Sequence, residues 1–350
     1  MTTAQDSEGT VEEAVAERRE LIDSALDEKL PEAAPERLYE ASRSIVLAGG
    51  KRLRPAMLLL AAEVLADVEP LSEDYTDFPA LYDDDVDVMS AAVSIEVIHS
   101  FTLIHDDIMD DDDMRRGIPA VHRAYDTETA ILAGDTLYSK AFEIILGTDA
   151  KPELSLDAVD LLAKTCTHIC EGQAMDVGFE TKPDVLPEEY REMIELKTAV
   201  LYAAAAAMPA IVMGARSAVV DSLYQYGLCV GQAFQIQDDV LDLTTPSDKL
   251  GKQRGSDLVE GKRTIITLHA REQGVDVDNL LDDAEDVDSV TEAQIDEAVA
   301  TLEEAGSIEY ATEMARDLVA EGKRHLEALP ENEAHDTLEA VADYLVDRDY

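Results

Sequence analysis

The feature that most constrains this chain is its apolar period. Hydrophobic residues recur at helical spacing in nearly every segment, and convincing two-residue strand alternation is absent. The pattern predicts helices at about 11–27, 35–48, 55–67, 88–110, 127–147, 154–177, 188–214, 217–243, 257–272, 291–304, 307–328 and 334–347. Thr291, with Gln294 three residues on, predicts a capping box at the start of the tenth. No internal repeat of 20–50 residues is visible. The expected architecture is all-α: one large helical bundle with long central helices spanning 1–350. Residues 1–10 are expected to be disordered. Segment 68–87, "VEPLSEDYTDFPALYDDDVD", breaks the period with prolines and acids and reads as a surface loop, as does acid-rich 275–290.

Charge narrows the setting rather than the fold. The chain holds 77 acidic and 28 basic residues, a net charge of −49, with only 11 lysines. Such an excess repels nucleic acid and anionic membranes. At 46% hydrophobic residues the chain is nonetheless apolar enough to fold. Dispersed acid of this kind suits concentrated salt, where screening lengths fall to roughly 3 Å, so a halophilic cytoplasm is expected. The N-terminus "MTTAQDSEGT" lacks the basic and apolar regions of a signal peptide. The longest apolar run, Ala199 to Ala215, contains Pro209, falls short of a membrane span and reads as a buried helix. Cys166, Cys170 and Cys229 form no CxxC; small thiols in core helices explain them better than a metal site at Cys166, His168 and Cys170.

Against this background two acidic clusters stand out. "FTLIHDDIMDDDDMRRG" ends an apolar helix in D-D-x-x-D: Asp106, Asp107 and Asp110. Asp106 and Asp110 share one helix face, about 6 Å apart along the axis. Carboxylates that close repel unless divalent ions lie between them, and an all-oxygen ligand set suits magnesium sharing its shell with phosphates. A solvated helix end explains one such cluster in so acidic a chain. "FQIQDDVLD" supplies a second: Asp238, Asp239 and Asp242, again behind an apolar helix and preceded by Gln235 and Gln237. Two such clusters facing each other across a bundle would grip a diphosphate through several Mg²⁺ ions.

Cations occur where a second anionic group would need them. "GGKRLRP" carries Lys51, Arg52 and Arg54, with Gly49 and Gly50 freeing the backbone and Pro55 suiting a first helical turn. Arg115 and Arg116 follow the first cluster, and "GKQRGSDLVEGKRT" brings Lys252 and Lys262. Arg52, Arg254 and Arg263 read as partners of nearby surface acids.

Together these motifs resemble the trans-isoprenyl diphosphate synthases. "GGKRLRP", "HSFTLIHDDIMDDDDMRRG", "EGQAMD", "LKTA", "FQIQDDVLDL" and "GKQRGSDLVEGKRT" stand in that family's order, over roughly Leu47 to Thr267. The likeness is to the archaeal geranylgeranyl type. It implies two or three Mg²⁺ ions held by Asp106, Asp107, Asp110, Asp238, Asp239 and Asp242 around an allylic diphosphate. Arg115, Lys197, Lys252 and Lys262 would contact that diphosphate directly. Lys51, Arg54, His99 and Arg116 would bind isopentenyl diphosphate; His99 lies about two turns before Asp106 on nearly the same face. Thr198, Gln235 and the Lys197 carbonyl would lie near the developing carbocation, with Gln173 and Asp176 lining the cavity. His105 has no clear role.

The implied chemistry needs no nucleophile. Electrostatic stabilisation of the departing diphosphate lets the allylic C–O bond break, and a nearby isopentenyl double bond traps the cation. Product length would depend on the cavity floor. Phe101 lies five residues before Asp106, about 7.5 Å along the helix, and Thr102 between them is small. In the family that pairing resembles enzymes that stop at C20. The alternatives are a C15 or C25 synthase, which shares every catalytic residue, and a class I terpene cyclase, against which "QDDVLD" argues. A calcium-binding scaffold would leave the ordered basic motifs unexplained. The resemblance also implies a homodimer, for which the apolar 199–215 region is a candidate surface.

Overall fold

The computed structural model describes residues 4–179, 181–182, 184–246, 254–281 and 290–347. Helices dominate it, and sheet is confined to two hairpins of two-residue strands. The chain divides into two compact units: Met1–Cys166 with Ala203–Tyr224 and Leu326–Val341, and Thr167–Tyr202 with Gln225–His325 and Ala342–Tyr350.

The first unit is built around α3 (Leu53–Ala66), which follows α1 (Ala4–Lys29) and α2 (Glu36–Leu47). Residues 55–65 of α3 are all buried, as expected of a helix that is apolar all round. The one acid among them, Glu63, is held by Arg18 at 2.6 Å and by the Tyr75 hydroxyl. α1 starts at Ala4, so residues 4–10 continue a helix where disorder was expected. No proline interrupts them, and buried Val11 anchors the next turn.

Segment 68–87 carries a short hairpin. β1 (Phe78–Pro79) pairs antiparallel with β2 (Asp85–Val86). Tyr75, Phe78 and Val86 are buried, and Tyr75 stacks on Phe78 with centroids 5.6 Å apart. Its acids stay outside except Asp87, while three apolar anchors pin the loop to the core.

α4 (Val88–Met109) carries the first aspartate cluster at its C-terminal end. Asp87 caps it, accepting from the Ser90 amide at 2.6 Å. Beyond it, β3 (Met114–Arg115) and β4 (Ile118–Pro119) form the second hairpin, followed by the single turn α5 (Val121–Ala124). α4 packs most extensively on α6 (Thr127–Ile145), which Asp126 caps through the Thr129 amide at 2.7 Å. Gly134 permits the crossing: a Cβ there would meet the His105 ring at 2.3 Å. His105 thus acts as a wedge, its Nε2 3.2 Å from the Ile131 carbonyl and its ring edge-on to Phe101.

α7 (Pro152–Phe179) and α8 (Pro187–Ile194) lead to a π-helical turn, Glu195–Ala199, which runs on as α9 (Val200–Val212). α10 (Ser217–Thr244) carries the second cluster, followed by α11 (Ser256–Val259), α12 (Ile265–Glu272), α13 (Glu292–Glu304), α14 (Ser307–Leu326) and α15 (Glu333–Asp347). The capping box of α13 forms as expected, with the Gln294 amide reaching Thr291 Oγ1. Of the acidic segment 275–290, residues 277–279 make one 3₁₀ turn, and residues 282–289 fall outside the described residues. Two stretches, Val88–Met109 and Pro187–Val212, are apolar and long enough to cross a membrane, but both are mostly buried inside the protein.

Candidate active site

In the first unit, neighbouring arginines diverge. Arg116 and Gly117 both take positive φ, 52° and 78°, the backbone of a two-residue hairpin turn between β3 and β4. Arg115 reaches Asp107 Oδ1 at 2.6 Å and Asp112 at 2.6 Å. Arg116 turns the other way, toward Glu96 at 3.3 Å and the Ile45 carbonyl at 3.2 Å. Its guanidinium lies flat against Gly50, where a Cβ would stand 3.0 Å from Cζ. Gly50 is therefore required for close approach as well as for its backbone angle.

Glu96 organises this cationic corner, and the motif reading missed it. Its signal was visible: a lone acid inside the apolar run "AAVSIEVI". Its carboxylate receives Arg52 at 2.5 Å and Arg116, with His99 Nδ1 at 3.7 Å. Burial pushes the Glu96 carboxyl up, but His99, Arg52 and Arg116 together outweigh it and hold the group ionised. Arg52, expected to balance surface acids, is itself buried at 3% exposure, joining Glu96, Asp23 and the Val46 carbonyl. Arg54 donates to His99 Nε2 at 3.1 Å, so the ring accepts there and is neutral, its other proton on Nδ1. Burial and the Arg54 charge push the His99 pKa down to about 4. Lys51, next in sequence to buried Arg52, is exposed. Arg54, His99 and Arg116 are thus gathered by α3, α4 and the hairpin, with Glu96 balancing the charges of Arg116 and buried Arg52.

The three aspartates of the first cluster differ. Asp107 is fully buried on Arg115, and its Oδ2 has no hydrogen-bond partner among the described residues. Burial raises its pKa, with Arg115 opposing. His122 on α5 is close enough to affect that charge, and both its ring nitrogens are buried with no hydrogen-bond partner among the described residues. Asp106 is half-buried, and Asp110, the C-cap of α4, is exposed. Phe101 is buried at 9% exposure and packs edge-on to His105 and Tyr138, with centroids 5.0 and 5.4 Å apart. Thr102 Oγ1 is turned back to the His99 carbonyl.

In the second unit, Lys197 and Thr198 sit in the π-helical turn, a distortion frequent at functional sites. Gly172 and Gly231 make room for it: a Cβ at 172 would meet the Lys197 amide nitrogen at 2.2 Å, and one at 231 the Ala199 Cα at 2.6 Å. The Lys197 ammonium pairs with Asp176. Thr198 donates to Gln235 Oε1 at 2.9 Å, and Gln235 donates to Asp239 Oδ1 at 3.1 Å. The Tyr190 hydroxyl, unnoticed in sequence because its partner is 49 residues away, donates to Asp239 Oδ2 at 2.5 Å. Burial, with the nearby Asp257 charge, pushes the Asp239 carboxyl up to about 8. Asp242 is buried and accepts from Ser256 Oγ at 2.9 Å and the Asp257 amide at 3.2 Å. Lys262 pairs with Glu260 at 2.9 Å and Asp257 at 3.2 Å. Gln173 is buried with neither amide atom partnered among the described residues. Asp238 is half-buried, and Lys252 falls outside the described residues.

The donor chemistry fits hard divalent cations. Both clusters offer carboxylate oxygens alone, and the orphaned, buried Asp107 Oδ2 awaits a further polar neighbour. A polyprenyl synthetase family model matches residues 35–302. The chain belongs to that family. It is 66% identical over 340 residues to the geranylfarnesyl diphosphate synthase of Natronomonas pharaonis, covering 97% of this chain and 98% of that one. It is 48% identical to the geranylgeranyl diphosphate synthase of Methanosarcina mazei, covering 97% and 99%. The solved geranylgeranyl pyrophosphate synthetase of Pyrococcus horikoshii superposes with a TM-score of 0.86 at 38% identity, covering 97% of this chain and 99% of that one. This polyprenyl synthetase accordingly has the all-helical isoprenoid synthase fold and is a trans-prenyl diphosphate synthase. Divalent-metal dependence is general in the family.

Proposed function

We propose that the chain condenses isopentenyl diphosphate head-to-tail with allylic diphosphates in a Mg²⁺-dependent reaction. The observation that carries this reading is the contrast in burial within each cluster: Asp107, Asp239 and Asp242 are buried, whereas Asp106, Asp110 and Asp238 are less so. Asp107 is occupied by Arg115, Asp239 by Tyr190 and Gln235, and Asp242 by Ser256 and the Asp257 amide. Asp106, Asp110 and Asp238 are the more accessible members and would hold magnesium, with Asp107, Asp239 and Asp242 orienting them. Magnesium held there would supply positive charge to the allylic diphosphate.

The chain's own residues do the rest. Arg115, Lys197, Lys252 and Lys262 bind the allylic diphosphate. To reach it, Lys197 and Lys262 exchange their acidic partners for phosphate oxygens. Lys51, Arg54 and Arg116 bind isopentenyl diphosphate, with neutral His99 accepting from Arg54 and fixing its direction. Thr198 and Gln235 present oxygens near the allylic carbon, where positive charge builds. The proton lost after C–C bond formation passes to the released diphosphate.

For the product we propose C25, the length named for the 66%-identical relative. C20 is the second reading, supported by Phe101 and by the name of the 48%-identical relative. We place a homodimer contact on α6, where Ile131, Leu132 and Tyr138 are exposed. The 199–215 run expected to serve that role is already buried within the chain through residues 199–210. The acidic surface and the halophilic setting argue for assay in molar KCl. The test is incubation with isopentenyl diphosphate and each of the C5, C10 and C15 primers, with Mg²⁺ or with EDTA, followed by chromatography. Mg²⁺-dependent C25 supports the first reading and a stop at C20 the second. No Mg²⁺-dependent elongation contradicts both.

A further inference from the structure

Away from the aspartate clusters, the second unit assembles a ligand set of different chemistry. Cys229 on α10 faces Glu321 and His325 on α14, and the sulfur, one carboxylate oxygen and one ring nitrogen all lie within 4.8 Å of one another. Glu321 and His325 are four residues apart, the spacing that puts two ligands on one helix face. Gly322 lies between them in sequence; a Cβ there would come 3.2 Å from the Cys229 Cβ. The missing side chain lets α14 approach close enough for its flanking ligands to reach the thiol. Among the described residues, no hydrogen bond or ion pair engages the Glu321 carboxylate or the His325 ring.

We infer that Cys229, Glu321 and His325 form a site for a thiophilic divalent ion of the zinc type, separate from the oxygen-only magnesium clusters. Tetrahedral ligands around zinc stand roughly 3.5 Å apart, so a small contraction closes the set and leaves the fourth position for water. Sulfur and imidazole select zinc or cobalt over magnesium, which prefers oxygen. Binding places the metal on the thiolate and releases the thiol proton to solvent. The ion would clamp α14 to α10 nine residues before Asp238, stabilising the helix that presents the second cluster.

The test uses the full chain, stripped with chelator and then saturated with Mg²⁺ so that the carboxylate clusters cannot report. Titration with Co²⁺ should produce a sulfur-to-cobalt charge-transfer band in the near ultraviolet that saturates at one equivalent and is bleached by Zn²⁺. Zn²⁺ should also raise the thermal midpoint, an effect of binding only the folded state. Cys229→Ser should abolish both signals, while Cys170→Ser retains them. Should Cys229→Ser fail to fold, His325→Gln at the helix surface serves instead and should weaken Co²⁺ binding by roughly tenfold or more. Absence of the band in the wild type, or a band that survives both Cys229→Ser and His325→Gln, overturns the assignment.

Discussion

The two aspartate clusters have the same letters and opposite environments. In the first, the inner carboxylate, Asp107, is buried against a full positive charge from Arg115. In the second, the inner carboxylate, Asp239, is buried against the neutral donors Tyr190 and Gln235. Among the described residues, the first inner carboxylate meets a counter-charge and the second meets neutral hydrogen-bond donors. A repeated motif therefore does not imply a repeated electrostatic design, and the second cluster should respond more strongly to metal and to pH.

The largest expected effects come from the accessible ligands. Asp106→Ala and Asp238→Ala should each lower kcat/KM by on the order of 10²–10³-fold, the scale of losing one stabiliser of transition-state charge. Steady-state assays at saturating Mg²⁺ measure this, and a variant retaining near-normal activity removes its residue from the metal set.

Stability should separate the inner carboxylates. Arg115→Gln leaves Asp107 buried without its cation and should cost about 2–3 kcal/mol, somewhat below the usual figure for breaking a buried pair because Arg115 is 30% exposed. Tyr190→Phe removes a neutral donor and should cost about 1–2 kcal/mol. Urea unfolding of both variants measures the contrast, and the reverse ranking breaks it.

The pH response follows from Asp239. Its carboxyl titrates near the ordinary range in the unfolded chain and at about 8 in the folded one. Between those values the folded state keeps a proton that the unfolded state has released, so stability falls as pH rises across that window. Without metal, the thermal midpoint of wild type relative to Asp239→Asn should decline from roughly pH 4 to pH 8. A flat difference means that Asp239 is already ionised in the folded protein.

The smallest effect on rate should come from Phe101→Ala, which opens the wall shared with His105 and Tyr138 and should lengthen the product by at least one C5 unit. Unchanged chain length in product chromatography means Phe101 is not the floor.

Much of this was legible in the sequence because it rests on local spacing: the long helices, both D-D-x-x-D clusters, and the capping box at Thr291. What escaped depends on partners remote in the chain. Glu96 is a lone acid in an apolar run, and its partners Arg52 and Arg116 lie 44 and 20 residues away. Tyr190 gains meaning only through Asp239. The π-helical turn has no period of its own and is marked by Gly172 and Gly231, whose missing side chains matter only at their contacts. The hairpin that parts Arg115 from Arg116 is too short to alternate. The anchors Tyr75, Phe78 and Val86 were masked by the acids around them.

The proposed reaction has both carboxylate clusters act on one diphosphate. A double-mutant cycle on single-turnover elongation tests it most directly, using Asp106→Asn, Asp238→Asn and the double variant. Groups that work as a unit are strongly non-additive, so the double variant should lose little more than the worse single one. If the two losses multiply instead, the clusters act independently and the claim is contradicted.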